Sequence, residues 1–172
     1  MLITEEYRKL NEQKHNESPS YGTVGKNYAK QVQDIARQIG AHTILDYGCG
    51  KRTLEQALGY AINNYDPAVP GCDAIPDPAD LVVCTDVLEH IEPECVDAVL
   101  DDLKRVTKRF IVLTVSTQPA RKVLADGRNA HILIKPADWW LPQLMSRFIL
   151  KTFTEMGEEQ EFMCVMKARV QQ

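Results

Sequence analysis

The chain has 172 residues, 44% of them hydrophobic, which fits one globular domain with a core of its own and is too short for two. Its formal charge of -4 argues against a protein whose main task is to coat nucleic acid, although it leaves room for a local basic patch. The five cysteines show neither a Cys-x-x-Cys pair nor zinc-type spacing, which favours free thiols in a reducing compartment. The sequence has no secretion signal and no apolar run of membrane-spanning length, so we expect a cytoplasmic protein with no membrane partner.

The first 27 residues differ in composition from the rest of the chain. They are mostly polar, and a Ser-Pro-Ser sequence at positions 18–20 is followed by two glycines, a pattern typical of a mobile arm. We therefore expect a flexible arm over residues 1–27 and a single folded domain over residues 28–172. Tyr21 and Tyr28 lie near this boundary, where a lid that closes over a bound ligand would carry them.

From residue 28 onwards, predicted helices and strands alternate. Apolar residues recur at helical spacing from residue 28 until Gly40, and further helices are predicted over residues 53–58, from residue 93 and from residue 136. The predicted strands are residues 43–46, 60–65, 81–84, 110–113, 149–153 and 162–170. This alternation predicts an α/β protein with a mainly parallel sheet and helices on both of its faces.

The most informative segment follows the first predicted strand and reads Asp46-Tyr47-Gly48-Cys49-Gly50. Two glycines at this spacing allow a sharp turn and let the backbone approach a ligand with no side chain between them. The carboxylate of Asp46 would repel the pyrophosphate of a dinucleotide, but it would attract an ammonium or a sulfonium group. S-adenosylmethionine (SAM) carries both of these cations, so the turn predicts a SAM site.

Three acids follow predicted strands, at the edge where open parallel sheets bind their ligands: Asp46, Asp66 and Asp86. Asp66 comes 20 positions after Asp46, about where nucleotide-binding folds carry the acid that binds the ribose hydroxyls. We therefore expect Asp46 at the methionine ammonium of SAM, Asp66 at its ribose and Asp86 on the same side of the cofactor. Each acid alone is also explained by the preference of turns for aspartate, whereas the ordered set favours SAM.

On these residues the chain resembles the class I SAM-dependent methyltransferases from about residue 28 to its end. Residues 46–50 match their Asp-x-Gly-x-Gly signature, and residues 85–91 are similar to the segment that closes their fourth strand. The resemblance implies a Rossmann-like, doubly wound sheet with an antiparallel C-terminal edge, and a single methyltransferase domain over residues 28–172. Asp73 is a candidate for contacting the adenine amino group.

Two departures from the family pattern stand out. Arg52 occupies the place of a frequent third glycine, which predicts a stiffer loop or a charge near the SAM carboxylate. Only 13 residues separate Asp66 from Asp80, too few for a helix and a strand, so we expect a shortened third βα unit.

A second group of residues has the chemistry of a metal site. Asp86, Glu89 and His90 stand at positions i, i+3 and i+4, which places them on one side of a helical turn, and His131 follows in a long later connection. Two carboxylates and two imidazoles suit a divalent ion such as Mg, Mn, Fe or Zn. Such an ion would bind an acceptor hydroxyl and lower its pKa, so His90 and His131 are the candidate catalytic residues.

The same constellation resembles those of two methyltransferase subgroups. The ubiquinone-biosynthesis O-methyltransferases have an acid, Glu-His, and a later His followed by Lys-Pro-Ala and an acid, as in residues 135–138 here. The small-RNA 2′-O-methyltransferases share the acid, the Glu-His pair and the distal His as metal ligands. This resemblance implies Asp86, Glu89, His90 and His131 as ligands. In other methyltransferases a Leu-Glu-His sequence at this place binds no metal, and its histidine packs or caps.

The sequence narrows the methyl acceptor mainly by what it lacks. It has neither the Asp/Asn-Pro-Pro-Tyr clamp of enzymes that methylate DNA amines nor the Pro-Cys nucleophile of those that attack a pyrimidine carbon. A basic cluster over residues 104–109 is explained by the end of a helix, whose dipole favours cations. We therefore expect O-methylation of a hydroxyl on a small molecule.

Two alternatives remain open at this point. One is 2′-O-methylation of RNA or a nucleotide. The other is a SAM-binding protein that transfers no methyl group, as a regulatory subunit or a SAM-degrading enzyme. The sequence indicates no particular oligomeric state.

Overall fold

The structure is a computed structural model that describes residues 1–157 and 160–169. Its α-helices are α1 (Glu5–Glu17), α2 (Ala29–Ile39), α3 (Thr53–Leu58), α4 (Val96–Val106) and α5 (Ala137–Arg147). Its strands are β1 (Ile44–Tyr47), β2 (Asn63–Tyr65), β3 (Ala79–Thr85), β4 (Thr107–Ser116), β5 (Phe148–Met156) and β6 (Glu161–Ala168). Short 3-10 helices span Val24–Tyr28, Leu88–His90 and Pro93–Cys95.

One six-stranded sheet organises the fold, in the order β2-β1-β3-β4-β6-β5. The first four of these strands are parallel, and β6 pairs antiparallel with both β4 and β5. This confirms the predicted doubly wound sheet with an antiparallel C-terminal edge. Within the described residues, a segment without helix or strand joins β2 to β3, as the shortened third unit predicts. The predicted strand 162–170 corresponds to β6, and Val170 lies outside the described residues.

Both faces of the sheet are covered, which explains why β3 is a continuous apolar run rather than an alternating one. Val82 and Cys84 pack on the face covered by α4 and α5, where Trp140 is fully buried. Leu81 and Val83 pack on the opposite face, against α2 and α3. The sheet is thereby fixed as a rigid platform whose carboxyl edge carries the loops described below.

The N-terminal segment differs from its prediction. Where polar composition predicts a mobile arm, residues 5–17 form α1, which begins at the N-cap Thr4, whose side chain accepts a hydrogen bond from the Tyr7 backbone N–H. A small apolar cluster holds α1 against the connection between β4 and α5, and its buried members are Tyr7, Tyr21, Leu124 and Ala130. Only a few side chains of the first 27 residues are buried in this cluster, so most of the segment is polar. Its mobility remains a prediction.

Candidate active site

A cleft that is partly open to solvent lies beyond the carboxyl ends of β1, β2 and β3. Its wall contains four of the predicted cofactor residues, namely Gly48, Gly50, Asp66 and Asp86. The cleft therefore lies at the edge of the sheet where the sequence predicts that a ligand binds.

The glycine turn is built as its sequence requires. Gly48 has φ 84°, and a Cβ added there would lie well inside van der Waals contact with Val87. Gly50 has φ 47°, and its added Cβ would stand 2.7 Å from the backbone oxygen of Gly22. The backbone N–H groups of Gly48 and Cys49 both donate to the Tyr65 carbonyl, which ties the turn to β2. Only glycine fits at either position.

Arg52, which replaces the frequent third glycine, lies in the left-handed region with φ 56° and immediately precedes α3. This backbone conformation explains why glycine is common there, since a side chain at positive φ is strained. The Arg52 side chain is exposed. A contact between it and the SAM carboxylate remains a prediction.

Asp66 joins the two loops that would hold the cofactor. Its Oδ2 accepts a hydrogen bond from the Gly50 N–H at 3.0 Å, and its Oδ1 accepts one from the Ala68 N–H at 2.9 Å. The Nε2 atom of His15, from α1, stands 4.0 Å from Oδ2. The carboxylate therefore lies at the glycine turn, where the ribose of SAM is expected.

Asp46 and Asp73 lie outside the cleft wall. Asp46 is only 3% exposed and sits at the end of β1, beneath the glycine turn. Asp73 is exposed, and its Oδ1 accepts a hydrogen bond from the Gly71 N–H in a local turn. Its contact with adenine stays a prediction that this position does not favour.

The buried carboxyl of Asp46 gives a test based on pH. Burial, with the carboxylates of Asp66 and Glu55 adding to it, raises the pKa of Asp46 to about 7. A folded pKa above the unfolded one means that the folded protein binds this proton more tightly. The contribution of Asp46 to stability is therefore present below about pH 4 and is lost as the pH rises through about 7. We expect Asp46→Asn to gain stability relative to the parent between pH 5 and about pH 8, measured by urea unfolding. A constant difference between the two proteins would contradict this.

Three of the four predicted metal ligands come together. Asp86, His90 and His131 each offer one ligand atom, and these atoms lie within 4.8 Å of one another. The Nε2 atom of His131 is 4.0 Å from Asp86 Oδ1. Its Nδ1 atom lies 2.6 Å from the Gln118 carbonyl oxygen, which only accepts, so Nδ1 carries the proton and Nε2 keeps a free lone pair. Metal-binding histidines have this arrangement.

Asp86 is held in an unusual backbone conformation. It has φ 60°, and its N–H donates to the Thr114 hydroxyl of β4 at 3.2 Å. Burial raises the pKa of Asp86. A left-handed conformation costs conformational free energy in any residue other than glycine, and such residues occur mainly at functional sites.

Glu89, the fourth predicted ligand, is not part of this group. Its side chain is fully buried, and Oε1 accepts a hydrogen bond from the Ser116 N–H at 2.7 Å. Oε2 has no hydrogen-bond partner within the described part of the chain. The prediction assumed helical spacing from residue 86, but Asp86 precedes the Leu88–His90 turn in a left-handed conformation, so that spacing does not apply. Burial raises the pKa of Glu89 well above its ordinary value.

Sequence reasoning missed the contribution of α1 to the site. Residues from the first 22 positions form one wall of the cleft: Leu2, Ile3, Tyr7, Asn11, His15, Tyr21 and Gly22. The Tyr21 hydroxyl donates to Asn11 Oδ1 at 2.8 Å and stands 3.4 Å from His90 Nδ1. Burial and the nearby His131 lower the pKa of His90 to about 3, so its imidazole is neutral at physiological pH.

Both ends of the N-terminal helix form hydrogen bonds to other parts of the chain. Both the backbone N–H and the hydroxyl of Thr4 donate to the Glu92 carboxylate, at 2.8 and 2.6 Å. At the other end of the helix, Lys51 Nζ donates to the His15 carbonyl at 2.6 Å. Tyr21 lines the cleft, whereas Tyr28 packs between α2 and the sheet and donates to Glu161. Of the two tyrosines proposed for a lid, only Tyr21 is therefore at the cleft.

The sheet order, the glycine turn after β1 and the carboxylate after β2 together define the class I methyltransferase fold. Residues 22–166 match the family model described as a methyltransferase domain, and the chain belongs to that family. The protein is a SAM-dependent methyltransferase, as the sequence predicts.

Solved structures show the same fold at low sequence identity. The N-methyltransferase NodS from Bradyrhizobium japonicum, solved with S-adenosylhomocysteine, is 12% identical with a TM-score of 0.65, over 94% of this chain and 98% of that one. A 1,6-didemethyltoxoflavin-N1-methyltransferase from Burkholderia thailandensis is also 12% identical, with a TM-score of 0.65 over 98% and 91%. The methyltransferase domain of a bacterial CtHen1 protein is 13% identical, with a TM-score of 0.60 over 84% and 99%.

No curated protein sequence matches the chain. The specific resemblance to the ubiquinone-biosynthesis enzymes therefore stays a prediction. Across the described ranges, no helix is both long and apolar enough to cross a bilayer.

Proposed function

We propose that the protein transfers the methyl group of SAM to a hydroxyl of a small molecule, with a divalent ion held by Asp86, His90 and His131. The observation that carries this proposal is the convergence of these three side chains, two of which, Asp86 and His90, line the cofactor cleft. A cytoplasmic location stays part of the proposal.

The donor set fits a divalent ion. It combines one carboxylate oxygen with two imidazole nitrogens, a mixture that suits Zn or Mn better than Mg, which prefers oxygen. The hydrogen bond from His131 to Gln118 leaves Nε2 free to bind. An ion at this place would lower the pKa of a hydroxyl that reaches it. Glu89, which is bonded to the backbone of β4, supports the turn that carries His90.

The residues of the chain also account for transfer itself. The acceptor oxygen bonds to the methyl carbon of SAM while the carbon–sulfur bond breaks, which leaves S-adenosylhomocysteine and requires the hydroxyl to lose its proton. Where no ion is bound, Nε2 of His131 is the proton acceptor, because its lone pair is free at the cleft edge. Asp66 and the glycine turn orient the cofactor for this in-line attack.

The shape of the cleft supports a small acceptor over an RNA end. Helix α1 and the connection after β4 close over the carboxyl edge of the sheet through their own apolar cluster. Apolar side chains form much of the wall, among them Leu2, Ile3, Val87, Ile91 and Val99. A flat or aromatic molecule fits such a wall better than a charged strand does.

The test uses SAM with a labelled methyl group, incubated with the protein and either a metabolite extract or total RNA. We expect label in the small-molecule pool, and the carbon-13 shift of the transferred methyl to be that of an ether. An N-methyl signal would overturn O-methylation, and label in RNA would favour the 2′-O alternative. SAM binding without any labelled product would indicate a protein that transfers no methyl group.

A further inference from the structure

A groove with strong positive charge lies at the end of the sheet opposite the cleft. Lys104 and Arg105 come from the last turn of α4, Lys108 and Arg109 from the start of β4, and Lys167 and Arg169 from the end of β6 and just beyond it. Asp101, Thr107, Phe110 and Ala168 complete its lining. We call these residues the basic groove. It holds six cations and one carboxylate, in a chain whose net charge is -4.

The end of a helix does not account for this arrangement. The dipole of α4 favours cations within its last turn only, which covers Lys104 and Arg105. Lys108 and Lys167 belong to strands, and Lys167 pairs in register with Phe110 of β4. The structure thus adds to the cluster predicted at residues 104–109 two cations that lie about 60 positions further along the chain.

Most of the positive charge in the basic groove is not neutralised. Arg105 pairs with Asp102 at 2.7 Å, and Asp101 with Arg147 at 2.7 Å. Arg109 and Arg169 donate to the backbone carbonyls of Gly40 and Met145, which hold the guanidinium groups without cancelling their charge. Within the described ranges, the three lysines form no ion pair (Lys104, Lys108 and Lys167). Asp80 also interacts electrostatically with Lys108 and Arg109. Apart from Arg105, five cations remain without an ion pair within the described ranges, and together they attract an extended anion.

We propose that the basic groove is a docking site for single-stranded nucleic acid. Phosphates repeat along such a strand and would contact the lysines and arginines in turn. Phe110 also lines the groove; its ring packs on one side against the apolar cluster beneath α2 and α3, and a base would contact only the part that stays exposed.

The basic groove serves docking and is separate from methyl transfer. Phe110 lies in the groove, whereas Ser116, six residues further along β4, donates a hydrogen bond to Glu89, the neighbour of His90 in the proposed metal site. At about 3.3 Å per residue the two ends are about 20 Å apart. A nucleotide bound in the groove is therefore out of reach of the SAM methyl group, and the inference does not depend on the acceptor proposed above.

Fluorescence anisotropy of the full chain with a labelled oligouridine of about 20 nucleotides tests the proposal. The variant Lys104→Gln/Lys108→Gln/Lys167→Gln removes three charges from the groove. The matched control, Lys9→Gln/Lys26→Gln/Lys30→Gln, removes three from exposed positions elsewhere. SAM binding, which uses the other edge of the sheet, reports that each variant is folded.

We expect the groove variant to bind RNA about a hundredfold more weakly at about 0.1 M salt. Its slope of log affinity against log salt should be flatter by about 2, since each single-strand phosphate contact contributes about 0.7. The control should match the parent, and all three proteins should bind SAM equally. Equal loss in both variants, no RNA binding by the parent, or tighter binding of polyglutamate than of RNA would each overturn the proposal.

Discussion

His131→Ala is expected to lower kcat by about 10²–10⁴-fold and to change the dissociation constant for SAM by less than about threefold. The imidazole approaches Asp86 to 4.0 Å through Nε2, and it lies outside the cleft wall formed by the glycine turn and Asp66. Removing it therefore removes the acceptor chemistry and leaves the cofactor contacts in place. Single-turnover rates and calorimetric titration with SAM measure the two effects separately.

A chelator separates the two roles that His131 has in the proposal. If His131 holds an ion, chelator lowers the activity of the parent protein to that of the variant. Adding Zn or Mn then restores the activity of the parent protein but not that of the variant. If His131 acts as a base without an ion, the chelator has no effect on the parent, and the variant still loses activity. His42→Ala is the matched control, since His42 is exposed, away from the cleft. An equal loss of SAM affinity and activity in His131→Ala would contradict both roles.

Local signals made much of the fold predictable from sequence. Helix α3 follows its prediction because Gly59 ends it in a left-handed conformation, a stop that the sequence displays. The glycine turn was predictable because its chemistry is contained in five consecutive residues. Asp66 was predictable because a fixed number of residues brings the second strand back to the same edge.

The remaining features depend on contacts between distant segments. The sequence of α1 contains helix signals, since Thr4 is an N-cap and Glu5 and Glu6 follow in the first turn. Its packing was not predictable, because it depends on Leu124 and Ala130 more than a hundred positions away. Helical spacing predicted that Glu89 and Asp86 share one side of a turn. In the structure Asp86 has a left-handed backbone conformation, and the carboxylate of Glu89 accepts a hydrogen bond from the backbone of β4. The basic groove depends in the same way on the pairing of β6 with β4.

Gly48→Ala is expected to weaken SAM binding by at least about a hundredfold and to reduce the free energy of unfolding by about 1–3 kcal/mol. The new Cβ would overlap the side chain of Val87, and φ 84° is strained for any side chain. Val87 directly follows Asp86, so relief of the overlap shifts both the glycine turn and one of the three proposed metal ligands. Calorimetric titration with SAM and urea unfolding measure the two losses.

Two further variants separate overlap from backbone strain. Gly40→Ala has the same kind of positive φ, 60°, but an added Cβ there meets nothing within 4 Å. It should lose about 1 kcal/mol of stability and no SAM affinity, because Gly40 ends α2 at a distance from the cleft. Gly48→Ala/Val87→Ala removes the methyl groups that the new Cβ would overlap, so it should recover part of the SAM affinity. If the double variant binds SAM no better than Gly48→Ala, backbone strain at φ 84° alone explains the loss of affinity. The contact with Val87 is then not the reason that glycine is required at position 48.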